Sequence, residues 1–155
     1  MSLERAKEHL KKYNMDNRII NLPLSTATVL LAAKALGCEE GRIAKSLSFK
    51  LSDKYIVIVM SGDVKIDNFK YKLEFQQKAK MVSNLEVEEK IGHPVGGVCP
   101  FALNEGVYLY LDKSLQKYKT VYPACGLSNN AIEISIDELE KITGYIKWID
   151  VCKNK

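Results

Sequence analysis

Ile43-Ala44-Lys45-Ser46-Leu47-Ser48-Phe49-Lys50-Leu51 alternates along its length, and its reading as a strand sets the fold. Strand side chains point to opposite faces in turn, so Ile43, Lys45, Leu47, Phe49 and Leu51 share one face. Ala44, Ser46, Ser48 and Lys50 fall on the other. Lys45 is then the one charge on an otherwise apolar face. A buried ammonium is costly unless it snorkels to the strand end or meets a polar cavity. In a cavity it would be the cation, available to a phosphate or a developing negative charge. Residues 55–60 follow as an unbroken β-branched and aromatic run, the pattern of a central strand covered on both faces. Ser61-Gly62-Asp63 closes it with a turn.

Upstream, Leu3, Ala6, Leu10 and Tyr13 recur at helical spacing behind Ser2 as N-cap, which predicts an amphipathic surface helix with no chemistry of its own. Ser25 opens a second helix through Leu36, with Gly37 as its left-handed stop. Val29, Leu30, Leu31, Ala32, Ala33 and Leu36 make that helix apolar over most of its girth, so it is expected to be largely buried. Thr26 and Thr28 near its start suit capping, packing or a pocket wall. Downstream, residues 65–80 carry five lysines against Asp67 and Glu74, with Ile66, Phe69 and Leu73 as a short helical stripe. This is a solvated basic face or an approach surface for nucleic-acid phosphate.

Ser83 and Glu86 form the pattern of a capping box, predicting a short helix to Ile91 that stops at Gly92. Strands are expected at residues 107–111, 120–122 and 131–134, with a small-residue loop, 123–130, before the last of them. Ser135 and Glu138 make a second capping box for a helix ending at Gly144. Residues 145–149 read as an edge strand before a polar tail. This order fits one α/β domain over residues 1–155 with a mixed sheet.

Gly92-His93-Pro94-Val95-Gly96-Gly97-Val98-Cys99-Pro100-Phe101 holds three glycines and two prolines. Such a loop can present bare backbone N–H groups in a rigid frame to a carbonyl oxygen or phosphate, or it can simply be a bend. The net charge is +4, which permits contact with a polyanion without the surplus of a dedicated duplex binder. Cys38, Cys99, Cys125 and Cys152 form no CxxC pair and are joined only by His9 and His93, which argues against structural zinc. No secretory signal or apolar run of membrane-spanning length is present in the sequence, and a reduced cytoplasmic setting is expected. Two histidines outside any nucleophile motif argue against a Ser-His-Asp hydrolase.

Arg42-Ile43-Ala44-Lys45-Ser46-Leu47, Ser61-Gly62-Asp63, Pro94-Val95-Gly96-Gly97-Val98-Cys99-Pro100-Phe101 and residues 126–131 occur in that order. Together they resemble the YbaK/EbsC-like family, freestanding relatives of the editing domain of bacterial prolyl-tRNA synthetases. The likeness runs from about residue 25 to residue 144. It implies a barrel-like twisted mixed sheet flanked by helices, no cofactor or metal, and an aminoacyl-tRNA deacylase that cleaves the ester of a mischarged tRNA, often proline tRNA. The partners it implies are the aminoacylated 3′ end of tRNA and prolyl-tRNA synthetase, with neither DNA nor a membrane. Lys45 matches the family's pocket lysine, and Gly96 and Gly97 begin its GxxxP loop, which lines the place of the scissile carbonyl. Substrate contacts are implied for Thr28, Ser46, Val98, Cys99, Pro100, Gly126, Asn129 and Ala131. The family is understood to use the substrate's ribose hydroxyl in place of a protein nucleophile. Where some relatives carry an acid or histidine after the second loop, this chain has Asn130 and Ala131, which leaves the cleaved amino acid open. A competing reading is a module that holds the acceptor end or a synthetase without turnover.

Overall fold

A computed structural model describes residues 2–23 and 28–155. Its centre is a six-stranded sheet. β2 (Ile43–Lys50) and β3 (Tyr55–Ser61) pair as an antiparallel hairpin, Lys45 opposite Met60 and Phe49 opposite Ile56. β5 (Tyr108–Asp112) lies parallel to β3, and β9 (Tyr145–Ile149) parallel to β5 at one edge. Beyond β2 come β6 (Thr120–Pro123), parallel to it, and β8 (Ile134–Ser135), antiparallel to β6. The sheet is therefore mixed, as the element order predicts, and it curls into a half-barrel, as the family resemblance implies.

Two short ribbons complete the strands. β1 (Ile19–Asn21) pairs with β7 (Asn130–Ile132), and β4 (Val64–Ile66) with β10 (Cys152–Asn154). The expected strand over residues 131–134 is thus two strands in different sheets, divided at Glu133. The expected polar tail is the strand β10, held because Cys152 buries its side chain while Lys153 stays outside.

Each face of the central sheet carries its own core, which explains why every β3 residue from Ile56 to Ser61 is buried. On one face Val57, Val59, Leu109 and Leu111 meet Ala6 and Leu10 of α1 (Ser2–Lys11), Val87 and Ile91 of α4 (Val87–Ile91), and Leu139 and Ile142 of α5 (Ile136–Ile142). On the other, Phe49, Ile56, Ile58, Met60 and Tyr110 pack with Tyr71 of α3 (Asn68–Phe75). The two periodicities of β2 feed the two cores separately: Ala44 joins the first, Leu47 and Phe49 the second.

Helix details differ from the sequence expectation in several places. α2 (Val29–Leu36) starts at Thr28, whose side chain accepts a hydrogen bond from Leu31 N–H at 3.2 Å. Ser25 and Thr26, expected at that end, lie outside the described residues. α2 is also less buried than its composition suggests: it packs through Ala32 and Ala33 on Ile43, leaving Leu30 and Leu31 60% and 48% exposed. In α3 the inward pair is Tyr71, buried, and Phe75, half-buried, their rings tilted with centroids 4.8 Å apart, while Phe69 and Leu73 are 72% and 61% exposed. Both pairs have i,i+4 spacing, so periodicity alone cannot choose between the opposite faces.

The capping box at Ser83 does not form. Its hydroxyl donates to the Glu86 carboxylate at 3.2 Å, its carbonyl accepts from Glu86 and Val87, and α4 begins three residues late. The box at Ser135 and Glu138 forms as expected. α5 ends at Thr143 rather than Gly144, with the Thr143 hydroxyl donating to Leu139 O at 2.6 Å.

Tyr71 is fully buried between Phe49 and Phe75, and its hydroxyl has no hydrogen-bond partner among the described residues. Burial pushes its phenol up to about 12. Tyr71→Phe is expected to leave stability unchanged or raise it by about 1 kcal/mol, because it removes an unsatisfied polar group, whereas Tyr71→Ala costs about 3–5 kcal/mol. The phenol resists ionising in the fold, so it contributes fully below the unfolded value near 10 and the contribution is lost as pH rises towards 12. Denaturant melts should show the wild type losing stability relative to Tyr71→Phe above about pH 10.

Candidate functional site

β2 is paired on its outer edge at both ends and open in the middle. At its start Ile43 and Ala44 pair with Tyr122 and Pro123 of β6. At its end Val82 N–H donates to Ser48 O at 3.0 Å and Lys50 N–H to Lys80 O at 2.8 Å. These bonds turn the peptides of the even-numbered residues outward, so the Ser46 peptide faces the gap. A cleft of about 310 Å³ occupies it. Its walls are Val29 and Ala32 of α2, the segment at Val82 and Val87, the glycine-proline loop, and residues 130–131.

Of the site residues expected from sequence, Thr28, Lys45, Ser46, Gly96, Val98 and Ala131 border this cleft. Lys45 is half-buried, and its ammonium donates to Val64 O at the free edge of β4. Burial holds its pKa below the usual lysine range, with a further push from Lys155. Ser46 lies on the opposite face of β2, and its hydroxyl oxygen is buried with no hydrogen-bond partner among the described residues. A buried hydroxyl without a partner is uncommon.

Gly97, Cys99, Pro100, Gly126 and Asn129 form the layer behind that wall. Gly97 N–H donates to Pro94 O at 2.9 Å and Gly96 has φ +84°, as in a type II turn. The Gly97 amide is therefore engaged within the loop. A Cβ on Gly97 would lie 2.6 Å from Gly126 O, and one on Gly126 2.6 Å from Ser2 O. The two loops thus meet backbone to backbone, with the first turn of α1 beneath. Cys99 is fully buried, its thiol pushed up to about 12 by burial, with Sγ 3.5 Å from His93 Nε2. A thiol so placed stays protonated and is no nucleophile. The Asn129 side chain donates to Leu22 O at 3.3 Å, away from the cleft. Its neighbour Asn130, buried, closes the second loop by accepting from Cys125 N–H at 2.9 Å and donating to Cys125 O at 3.1 Å.

α1 does more than the sequence reading allowed. Arg5 donates to Gly92 O at 3.0 Å, Ala102 O at 2.7 Å and Asn104 Oδ1 at 3.1 Å, gripping both ends of the glycine-proline loop. His93 lies 2.6 Å by Nε2 from Phe101 O and 2.5 Å by Nδ1 from Ser2 Oγ. A carbonyl only accepts, so Nε2 carries the proton and Nδ1 accepts from the serine hydroxyl. Ser2 is thus a loop contact rather than an N-cap. The signal available in the sequence was the spacing of Ser2, Arg5 and His9, a polar row along the edge of the apolar stripe. Among the described residues no group of three His, Cys, Asp or Glu could hold a metal ion. No helix among them is long and apolar enough to cross a membrane.

Arg5→Ala is expected to destabilise the fold by about 2–4 kcal/mol by stripping a charged donor from buried carbonyls, with Arg5→Lys recovering only part because one ammonium cannot span the fork. Burial is the main cause that depresses the His93 pKa, and the nearby Arg5 charge adds to it. A base depressed in the fold contributes stability above its unfolded pKa, lost as pH falls from about 6.5 through the folded value. Thermal melts should show that acid limb flattened in His93→Gln.

Over residues 25–142 the sequence matches the aminoacyl-tRNA editing domain family. It is 46% identical over 155 residues to the uncharacterized protein YwhH of Bacillus subtilis (strain 168), covering 99% of each chain. It is 28% identical over 137 residues to the proline–tRNA ligase of Thermosipho melanesiensis, a match that takes in 88% of this chain and 24% of the ligase. The crystal structure of a candidate trans-editing enzyme for prolyl tRNA synthetase superposes with a TM-score of 0.88 at 29% identity, over 99% of this chain and 98% of that one. With a match of that extent and a shared fold, the protein belongs to the aminoacyl-tRNA editing domain family.

Proposed function

We propose that the protein is a trans-editing deacylase: it hydrolyses the ester joining a wrong amino acid to the 3′ end of tRNA, with proline tRNA as the acceptor. The observation that carries this reading is that Lys45, Ser46, Gly96 and Val98 border one small cleft. The relatives named for prolyl-tRNA chemistry support the choice of acceptor. In this reading water adds to the ester carbonyl, the bond to the ribose oxygen breaks, and amino acid and free 3′ end leave. The vicinal ribose hydroxyl positions the water. Backbone amides of the loop stabilise the oxyanion, a contribution of about 3–4 kcal/mol for a well-aimed donor.

Gly97 N–H is bonded within the turn, so this role falls to the amides of Gly96 and Val98, the loop residues that border the cleft. Lys45 acts as a fixed cation on the terminal phosphate or sugar. Its tether to Val64 O restricts it before the substrate arrives, which lowers the entropy lost on binding. Ser46 supplies a hydrogen bond to the aminoacyl group. Gly97 and Gly126 set the spacing of the loops, and Cys99, Pro100 and Asn129 hold the wall from behind. The reaction belongs to the cytoplasm, where prolyl-tRNA synthetase charges its tRNA.

Deacylation of a panel of purified mischarged proline tRNAs tests the reading. Release of one or a few amino acids is expected, and Lys45→Ala should lower kcat/KM by about 100-fold, the scale of one electrostatic group. Tight retention of every mischarged tRNA with no amino acid released would instead describe a binding module. Ser46→Ala should leave the melting temperature unchanged or higher, since it removes an unpartnered hydroxyl, while raising KM for the cleaved substrate about tenfold. A drop in melting temperature with unchanged KM would give Ser46 a structural role.

A further inference from the structure

The β4–β10 ribbon places like charges where a sheet ordinarily avoids them. Lys65 and Lys153 stand directly opposite one another in its register, both exposed. The flanking bonds, Asp67 N–H to Val151 O at 2.8 Å and Lys155 N–H to Asp63 O at 3.4 Å, fix that register from both sides. Strand alternation puts Lys155 on the same face as Lys153, while Val64 and Cys152 bury the opposite face in the core. Like charges opposed across a strand pair repel and destabilise it.

Nearby acids relieve this only in part: the charge of Lys153 reaches Asp67 and helps to lower its pKa. Asp67 accepts from the amides of Phe69 and Lys70 at 3.0 and 3.2 Å as the cap of α3. Asp63 accepts from Ser61 Oγ at 2.8 Å and Tyr118 OH at 3.4 Å. Among the described residues, no ion pair involves Lys65, Lys153 or Lys155, although Lys70 and Lys147 close by are paired with Asp150 and Glu74. The ribbon also touches Lys45, which borders the cleft and donates its ammonium to Val64 O in β4. The charge of Lys155 reaches Lys45 closely enough to depress its pKa.

We propose that the outer face of this ribbon is a phosphate rail: Lys65, Lys153 and Lys155 bind successive backbone phosphates of an RNA acceptor stem whose 3′ end enters the cleft past Lys45. The inference rests on the deacylase reading for the identity of the RNA. Ammonium groups without ion-pair partners, on a rigid two-stranded frame, gain from a polyanion by releasing its counterions, and they read no sequence. The rail thereby accounts for stem binding, and the cleft for the choice of amino acid.

The test compares K65E/K153E with K11E/K12E, which makes the same charge change on exposed residues of α1 and the turn after it. Affinity for an uncharged proline tRNA transcript is measured across a salt series. The ribbon variant should bind at least about tenfold more weakly and lose about 2 from the slope of log affinity against log salt, one for each phosphate contact. The control should keep the slope. With mischarged tRNA the ribbon variant should raise KM and keep kcat, and with an aminoacyl adenosine lacking the stem it should match the wild type. An unchanged slope, an equal effect of the control, or an equal loss on the stemless ester would each overturn the rail, as would a wild type that does not bind the transcript. Steep salt-dependent binding without hydrolysis in the wild type would sink the deacylase reading and leave the rail standing. Hydrolysis with an unaltered slope in the ribbon variant would do the reverse.

Discussion

The site depends on a contact made without side chains. Gly97 lies against the Gly126 carbonyl, and Gly126 against the carbonyl of Ser2, each so close that a Cβ would fall 2.6 Å from the facing oxygen. Such distances admit no methyl group, so alanine at either position must move a backbone. Gly126 adds a second constraint with φ +90°, a region that side chains disfavour. Three segments far apart in sequence are thereby set at one spacing. The cleft wall is the outer surface of that stack, and its geometry is inherited from glycine.

A stack of backbone needs its polar groups answered, and the chain answers them with a network that is part-buried at Arg5 and Ser2 and buried at His93 and Asn130. Arg5 takes two carbonyls of the loop and the Asn104 amide oxygen. His93 bridges Phe101 and Ser2, and Asn130 closes the second loop on Cys125. Networks of this kind specify one arrangement when every member is satisfied, and leave costly orphans when one is removed. The contrast with Ser46 follows from the same physics. Behind the wall the polar atoms are paired, whereas on its cleft side a buried hydroxyl is left without a partner among the described residues. A rigid, satisfied backing with one unsatisfied group in front is the arrangement expected of a preorganised binding surface.

What could be read from the sequence was what local period encodes. The alternation of residues 43–51 and the β-branched run after it mark β2 and β3, and the structure follows them closely. Lys45 stood out because a charge on an apolar strand face has few places to go. The glycines at 96, 97 and 126 were legible as permissive residues, but no local pattern says which backbone each will touch. α3 misled because Phe69 with Leu73 and Tyr71 with Phe75 have the same spacing on opposite faces, and only the sheet decides which is buried. Arg5 was missed because an arginine on an amphipathic helix looks like solvent-facing charge until a loop 87 residues away supplies carbonyls. The tail became β10 because β4 offered an edge, a non-local opportunity invisible in residues 150–155.

The open edge of β2 joins these observations. Exposed strand edges invite unwanted pairing, and proteins cover them. Here the cover is interrupted: β6 protects the first two residues and the segment at Lys80 to Val82 the last three, while the stretch between faces the cleft. An edge left unpaired over so short a length cannot take up another strand, yet its outward peptide faces a cleft that Lys45 and Ser46 border. Lys45 itself guards a second edge, since its ammonium answers the Val64 carbonyl that β4 would otherwise leave bare. One side chain therefore closes a ribbon, borders the cleft and carries a positive charge. A substitution there is felt at all three places, which is why a change in rate alone would not isolate its chemistry from its structural duty, and why the paired readouts of binding and turnover are the informative ones.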